Sequence, residues 1–176
     1  MKQSITPMYQ QRSNMGLFDF KKTKELAIAM PITGEIIELE KVPDEMFSTK
    51  MMGDGFAIVP SSGEIFAPVA GEVVTLFPTL HAIGMKTQEG IEILIHFGMD
   101  TVNLKGEGFV AHIEQGDVVA KGDKLVSVDI NIIKDKVPSL ITPIIFTNSS
   151  NYKIEIEKAV YGKVYHSKEE VLVLKK

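Results

Sequence analysis

The chain contains no cysteine among its 176 residues. That excludes disulfides, thiolate metal sites and a cysteine nucleophile, and leaves covalent chemistry to histidine, serine, threonine, lysine or a carboxylate. A cysteine-free chain also fits a reducing, cytoplasmic setting. Basic excess is missing too: the formal net charge is -4, and lysines are interspersed with acids, so a nucleic-acid surface is not expected. No apolar stretch approaches the roughly 18 residues that a membrane span needs. The first residues lack the positive-then-apolar order of a signal peptide, and no stable membrane insertion is expected. A Walker lysine loop and a kinase-type glycine loop are both absent, which disfavours ATP as a phosphoryl donor.

Residues 1–14 are polar and aperiodic, and residues 1–24 together are expected to form a disordered leader. Met15-Gly-Leu-Phe-Asp-Phe20 reads as a second chain start. Leu17, Phe18 and Phe20 beside Lys21, Lys22 and Lys24 allow a short membrane-touching segment, although a flexible leader explains them as well. From Glu25 the pattern changes to many short apolar runs opened by glycine, and residues 25–176 read as one domain. Examples are Gly34-Glu-Ile-Ile-Glu-Leu39, Gly63-Glu-Ile-Phe-Ala-Pro68, Gly71-Glu-Val-Val-Thr-Leu-Phe77 and Gly90-Ile-Glu-Ile-Leu-Ile95, with further runs at 118–128, 141–147 and 153–157. Glycine ahead of a β-branched run marks a turn entering a strand. Short, regular spacing without a long helical period predicts an all-β sandwich or barrel, with one or two helical turns at most over residues 131–140. The hairpin Gly116-Asp-Val-Val-Ala-Lys-Gly-Asp-Lys-Leu125 resembles the hammerhead of biotinyl and lipoyl carriers, and is expected to hold Val118, Val119 and Leu125 against the core.

The chemistry centres on Ile93-Leu-Ile-His-Phe-Gly-Met-Asp100. Alternation assigns Ile91, Ile93, Ile95 and Phe97 to one strand face, and Glu92, Leu94 and His96 to the other. His96 therefore ends a strand beside a tight turn, where a partner can reach it. His81 is a second candidate: Val73, Thr75, Phe77, Thr79 and His81 share a face if their strand continues, and Pro78 implies an edge or bulge. Thr79, two residues before His81, can fix the ring tautomer. His112 and His166 read as surface residues. Two paired histidines leave three chemistries open. They are a zinc site completed by Asp100 or a partner, acid–base catalysis, and phosphoryl transfer with one histidine as nucleophile. Met46, Phe47, Met51 and Met52 form either an ordinary core turn or a methionine-rich docking patch. Asp44 and Asp100 beside such a patch would attract a basic partner.

The run His96-Phe-Gly-Met-Asp-Thr-Val-Asn-Leu-Lys-Gly-Glu-Gly-Phe109 closely resembles the active-site signature of the glucose-type IIA component of the bacterial sugar phosphotransferase system. Pro31-Ile-Thr-Gly-Glu, Val42-Pro-Asp, Gly53-Asp-Gly, Ala67-Pro-Val-Ala-Gly, Thr79-Leu-His81 and the Gly116 hairpin support it in consistent order over residues 26–175. The resemblance implies a duplicated hybrid motif folded as a flattened antiparallel β-sandwich. It implies that His96 takes a phosphoryl group on Nε2 from the phosphocarrier HPr and passes it to a cysteine of a sugar permease's IIB domain. His81 would hold the phosphoryl oxygens, Thr79 would orient His81, and the Gly98 carbonyl would orient His96. Since this chain has no cysteine, the IIB cysteine lies elsewhere. Met46, Phe47, Met51, Met52, Phe77, Leu94 and Val102 fall where the family has its apolar docking ring, with Asp44 and Asp100 beside it.

No cofactor is implied. A zinc ion shared between His81, His96 and a partner, and regulatory binding to transporters or glycerol kinase, belong to some members and are not carried over. Ala82-Ile83 follows His81 where an aromatic is common, a difference expected to bear on partner preference. A lysostaphin-type zinc peptidase would need a ligand two residues after His96, where Gly98 stands. A swinging-arm carrier would need a lysine at a hairpin tip, for which Lys86 is a poor match.

Overall fold

The glycine-led runs become short antiparallel strands in the computed structural model, which describes residues 25–151, 153–155 and 161–175. The leader expected over residues 1–24 lies outside the described residues. In chain order the strands are β1 (Glu25–Ala29), β2 (Gly34–Ile37), β3 (Asp54–Pro60), β4 (Glu64–Phe66), β5 (Gly71–Leu76), β6 (Ala82–Lys86) and β7 (Glu92–His96). They continue as β8 (Phe109–Ala111), β9 (Val118–Val119), β10 (Lys124–Val128), β11 (Thr142–Phe146), β12 (Lys153–Glu155), β13 (Val164–Tyr165) and β14 (Glu170–Lys175). Two one-turn helices, α1 (Glu45–Ser48) and α2 (Ile130–Ile133), interrupt them.

Eight strands make one sheet in the order β13-β2-β3-β11-β7-β6-β5-β9, and β1-β14-β12 and β4-β10-β8 make two smaller ones. All the strand pairings are antiparallel. The all-β antiparallel sandwich is therefore as the residues imply. One buried cluster draws Ile28 and Leu172 from the first small sheet, Ile65 and Leu125 from the second, and Ile58, Met85, Ile95 and Phe146 from the large one. Each such side chain contributes about 1.5–3 kcal/mol by leaving water.

The opposite face of the large sheet carries a second cluster. Ile37, Ala57 and Ile145 pack there with Leu39, Val42, Phe47 and Met99, and with the partly buried Leu94 and Met52. All five residues of β11 are buried for this reason, since a strand covered on both faces is apolar throughout rather than alternating. This second cluster is the floor on which the candidate site stands.

Two expectations change, and a third finds its place. The face shared by residues 73–81 does not exist, because β5 shifts register between Val73 and Thr75 and ends at Leu76. Val118 is 83% exposed rather than packed on the core, while Val119 and Leu125 are buried as expected. In a strand of two residues, successive side chains point to opposite faces, so only one of the pair can turn inward. The helical turn allowed over residues 131–140 is α2, capped by the Asp129 carboxylate, which accepts from the Asn131 amide at 3.0 Å.

Candidate functional site

Strands β6 and β7 form a hairpin in which Ala82 lies directly opposite His96. His81 immediately precedes β6 because the chain turns tightly between β5 and β6. The Leu80 amide donates to the Phe77 carbonyl at 2.7 Å, the Phe77 amide donates to the Ala82 carbonyl at 3.1 Å, and Leu80 takes a left-handed φ of 59°. A turn closed by a left-handed residue is a regular hairpin device. The Phe97 amide then donates to the His81 carbonyl at 2.8 Å, tying the turn to the end of β7. The two imidazoles meet edge to face, with centroids 5.0 Å apart and planes at 86°. The sequence pairing of His81 with His96 is thus realised by a hairpin turn, not by a continued strand.

Each ring has its Nδ1 engaged by a residue two positions away. His96 Nδ1 lies 2.9 Å from the Gly98 carbonyl oxygen. A carbonyl only accepts, so the proton of neutral His96 sits on Nδ1 and the lone pair is left on Nε2. The Thr79 hydroxyl lies 2.6 Å from His81 Nδ1, in a bond that either group can donate.

Gly98 can present its carbonyl because it takes φ = 69°. A Cβ there would lie 2.8 Å from Thr101 Cγ2 and 3.0 Å from the Ser139 carbonyl oxygen. Gly98→Ala is expected to cost about 1–2 kcal/mol from the left-handed backbone alone, with the crowding in addition. Urea unfolding would measure it, and a loss under 0.5 kcal/mol on this ~1 kcal/mol scale would contradict the account.

Burial sets the protonation of both rings. His81 is only 7% exposed, and burial, followed by repulsion from His96, pulls its pKa down from 6.5 to about 4. Burial also lowers His96, against the opposing pull of the Gly98 carbonyl, its own backbone and the Asp44 and Asp100 carboxylates. Both rings are therefore neutral near pH 7.

A stability effect follows from the sign of the His81 shift. The unfolded chain takes up a proton below pH 6.5 that the folded chain refuses until about pH 4. This contribution is complete above pH 6.5 and is lost as pH falls between those values, by about 3 kcal/mol. His81→Gln is expected to remove that part of the acid sensitivity. Urea unfolding of parent and variant at several pH values reads it, and equal acid sensitivity in the two would count against a buried neutral His81.

Around the rings, Asp44 caps α1 by accepting from the Met46 amide at 2.8 Å. The helix it starts places Phe47 against His96, with ring centroids 5.1 Å apart. Phe77 lies edge-on to His81 at 5.4 Å. The proposed ring of apolar residues divides here. Met46, Met51, Phe77 and Val102 are exposed, Met51 by 72%. Phe47 is 7% exposed and Met52 and Leu94 are partly buried, so these three build the floor. The methionine-rich segment therefore divides, Phe47 and Met52 packing inward and Met46 and Met51 lying at the surface. Ala82 and Ile83 are buried and Leu80 packs on the core. The differences beside His81 are therefore accommodated in the core rather than on the rim.

His112 and His166 are exposed and distant in role: His112 Nε2 bonds the Ser127 hydroxyl at 2.8 Å. Lys86 closes β6 and pairs with Glu92 at 3.0 Å. Among the described residues no group of three or more His, Asp or Glu side chains is gathered as a metal site. His81 and His96 supply two ligands between them, so a tetrahedral ion would need others from a partner. Sequence reasoning passed over Thr101, which is fully buried and donates from its hydroxyl to the Phe97 carbonyl at 2.7 Å.

Residues 26–152 match the family described as phosphoenolpyruvate-dependent sugar phosphotransferase system, EIIA 1. The chain belongs to this EIIA family. The glucose-specific EIIA component of Oceanobacillus iheyensis is 53% identical over 133 residues, 76% of this chain and 81% of that protein. The glucosamine-specific EIICBA component of Bacillus subtilis is 56% identical over 120 residues, which are 68% of this chain and 19% of that longer protein. The solved structure of glucose permease IIA from Mycoplasma capricolum superposes with a TM-score of 0.80 at 45% identity, covering 85% of this chain and 96% of that one. As a glucose-type EIIA component, the chain takes part in phosphoryl transfer within the phosphotransferase system. No helix among the described residues is long and apolar enough to cross a membrane.

Proposed function

We propose that His96 accepts a phosphoryl group from phospho-HPr on Nε2 and passes it to a cysteine of a sugar permease's IIB domain. The observation that carries this reading is the Nδ1–H···O=C bond to Gly98, which leaves Nε2 of a neutral, partly exposed imidazole as the only free nucleophilic atom of the ring. Nε2 forms a bond to phosphorus as the donor's bond to phosphorus breaks. Loss of the phosphoryl group to the IIB thiolate restores the neutral ring.

His81 stabilises the transferring group. With the Thr79 hydroxyl donating to Nδ1, His81 keeps its proton on Nε2 and aims an N–H at the phosphoryl oxygens. Its low pKa keeps His81 neutral near pH 7 before the phosphoryl group arrives. Exposed Met46, Met51, Phe77 and Val102 form the apolar contact surface, and Asp44 and Asp100 give it a negative edge for a basic HPr surface. The relay uses no cofactor, and a zinc ion at His81 and His96 would form only with a partner's ligands. The relative whose name places EIIC, B and A parts on one chain supports a IIB domain as the receiver.

The test is the intact mass of the protein after incubation with phosphoenolpyruvate, enzyme I and HPr. One acid-labile phosphoryl group that appears only when all three are present supports the relay. An unchanged mass contradicts it.

A further inference from the structure

We infer that Thr101 is a positioning residue for His96: its side chain holds the Phe97–Gly98 peptide so that the Gly98 carbonyl faces the imidazole and selects the Nδ1–H tautomer. The inference rests on the reading of His96 as the phosphoryl acceptor, and adds a residue that acts on the ring through the Phe97 carbonyl and Gly98.

Two successive peptide planes carry the hydrogen bonds beside His96. In the Gly98–Met99 peptide, the carbonyl accepts from His96 Nδ1 at 2.9 Å, and the amide donates to the Ser139 carbonyl at 2.8 Å. In the Phe97–Gly98 peptide, the carbonyl accepts from the Thr101 hydroxyl at 2.7 Å. The Phe97 amide, one plane earlier, donates to His81. Between the two planes lies Gly98 at φ = 69°. Glycine adopts positive and negative φ with nearly equal ease, so it cannot hold this conformation by itself. Rotation of the Phe97–Gly98 peptide would change that φ and swing the next carbonyl away from Nδ1.

Thr101 opposes the rotation in two ways. Its hydroxyl anchors the Phe97 carbonyl, and its methyl fills the place beside Gly98, where a Cβ would lie 2.8 Å away. The side chain is fully buried, so water cannot replace the hydroxyl without opening the loop. With the carbonyl displaced, the bond that favours a proton on Nδ1 of His96 is lost, and the fraction with a free Nε2 falls.

Long-range 1H–15N NMR of the unphosphorylated protein near neutral pH reads the tautomer of each histidine. Thr101→Val keeps the methyl contact and removes only the hydroxyl. Its expected signature is His96 shifting from predominantly Nδ1–H to a mixture, with a five- to tenfold rise in the Nε2–H share, about the weight of one lost hydrogen bond. His81, bonded to Thr79, serves as the internal reference and stays unchanged. Thr101→Ser, which keeps the hydroxyl, retains the parental His96 tautomer. Thr101→Ala provides the same readout if the valine variant does not fold.

A parental tautomer at His96 in both the valine and alanine variants overturns the inference. An equal change at His81 also overturns it, because general loosening would then be the cause. The measurement needs no phosphoryl donor, so failure of HPr to label the protein would defeat the relay reading while leaving the tautomer result to stand or fall separately.

Discussion

Replacing His96 with alanine is expected to abolish labelling by phospho-HPr, lowering the rate on the order of 10^4-fold or more, as loss of a nucleophile does. The other three histidines cannot substitute. His81 is only 7% exposed and, with the Thr79 hydroxyl donating to its Nδ1, has a proton rather than a lone pair on Nε2, and His112 and His166 lie outside the site. The fold should survive, because His96 is partly exposed at a strand end and its loss uncovers only one side of Phe47, a change within about 1 kcal/mol. Intact mass spectrometry paired with a thermal melt separates these effects. Residual labelling of a folded His96→Ala protein at the parental level would place the acceptor elsewhere.

His81→Ala is expected to divide the relay. Excess phosphoenolpyruvate drives labelling to its end point even through a slow step, so His96 still becomes phosphorylated. Passage to the IIB cysteine should fall about 10^2- to 10^3-fold, the usual loss when a preorganised donor to a charged transition state is removed. The physical reason is the charge that arrives with the phosphoryl group. It would lie beside a ring whose burial has brought its pKa to about 4, and an N–H aimed at the oxygens would compensate that charge where little water can. Measuring the end point with HPr alone, and then the flux to an isolated IIB domain, tests both halves. Undiminished flux would remove His81 from the mechanism. A label that never forms would make His81 part of acceptance as well.

The residues show some features of this site directly and conceal others. The face of β7 is legible because Ile91, Ile93 and Ile95 are spaced by two and all three are buried. His96 must then lie on the opposite side. The approach of His81 is not legible, because it depends on Leu80 adopting φ = 59°. Leucine has no preference for that region, so alternation extends the strand wrongly through residue 81. The division of the methionine-rich segment is hidden for another reason. Phe47 and Met51 look alike in composition, and only the second cluster on the back of the large sheet shows that Phe47 is floor and Met51 is rim. Thr101 is concealed most deeply. Its partner is a backbone carbonyl, and no side-chain pattern in the sequence records that contact.

The central claim is that Nε2 of His96 carries the phosphoryl group while Nδ1 stays bonded to Gly98. Phosphorus–nitrogen coupling in the 15N-labelled phosphoprotein tests it most directly. The account predicts coupling to Nε2 of His96 with Nδ1 still protonated. Phosphorus bound to Nδ1, or to any residue other than His96, would contradict it.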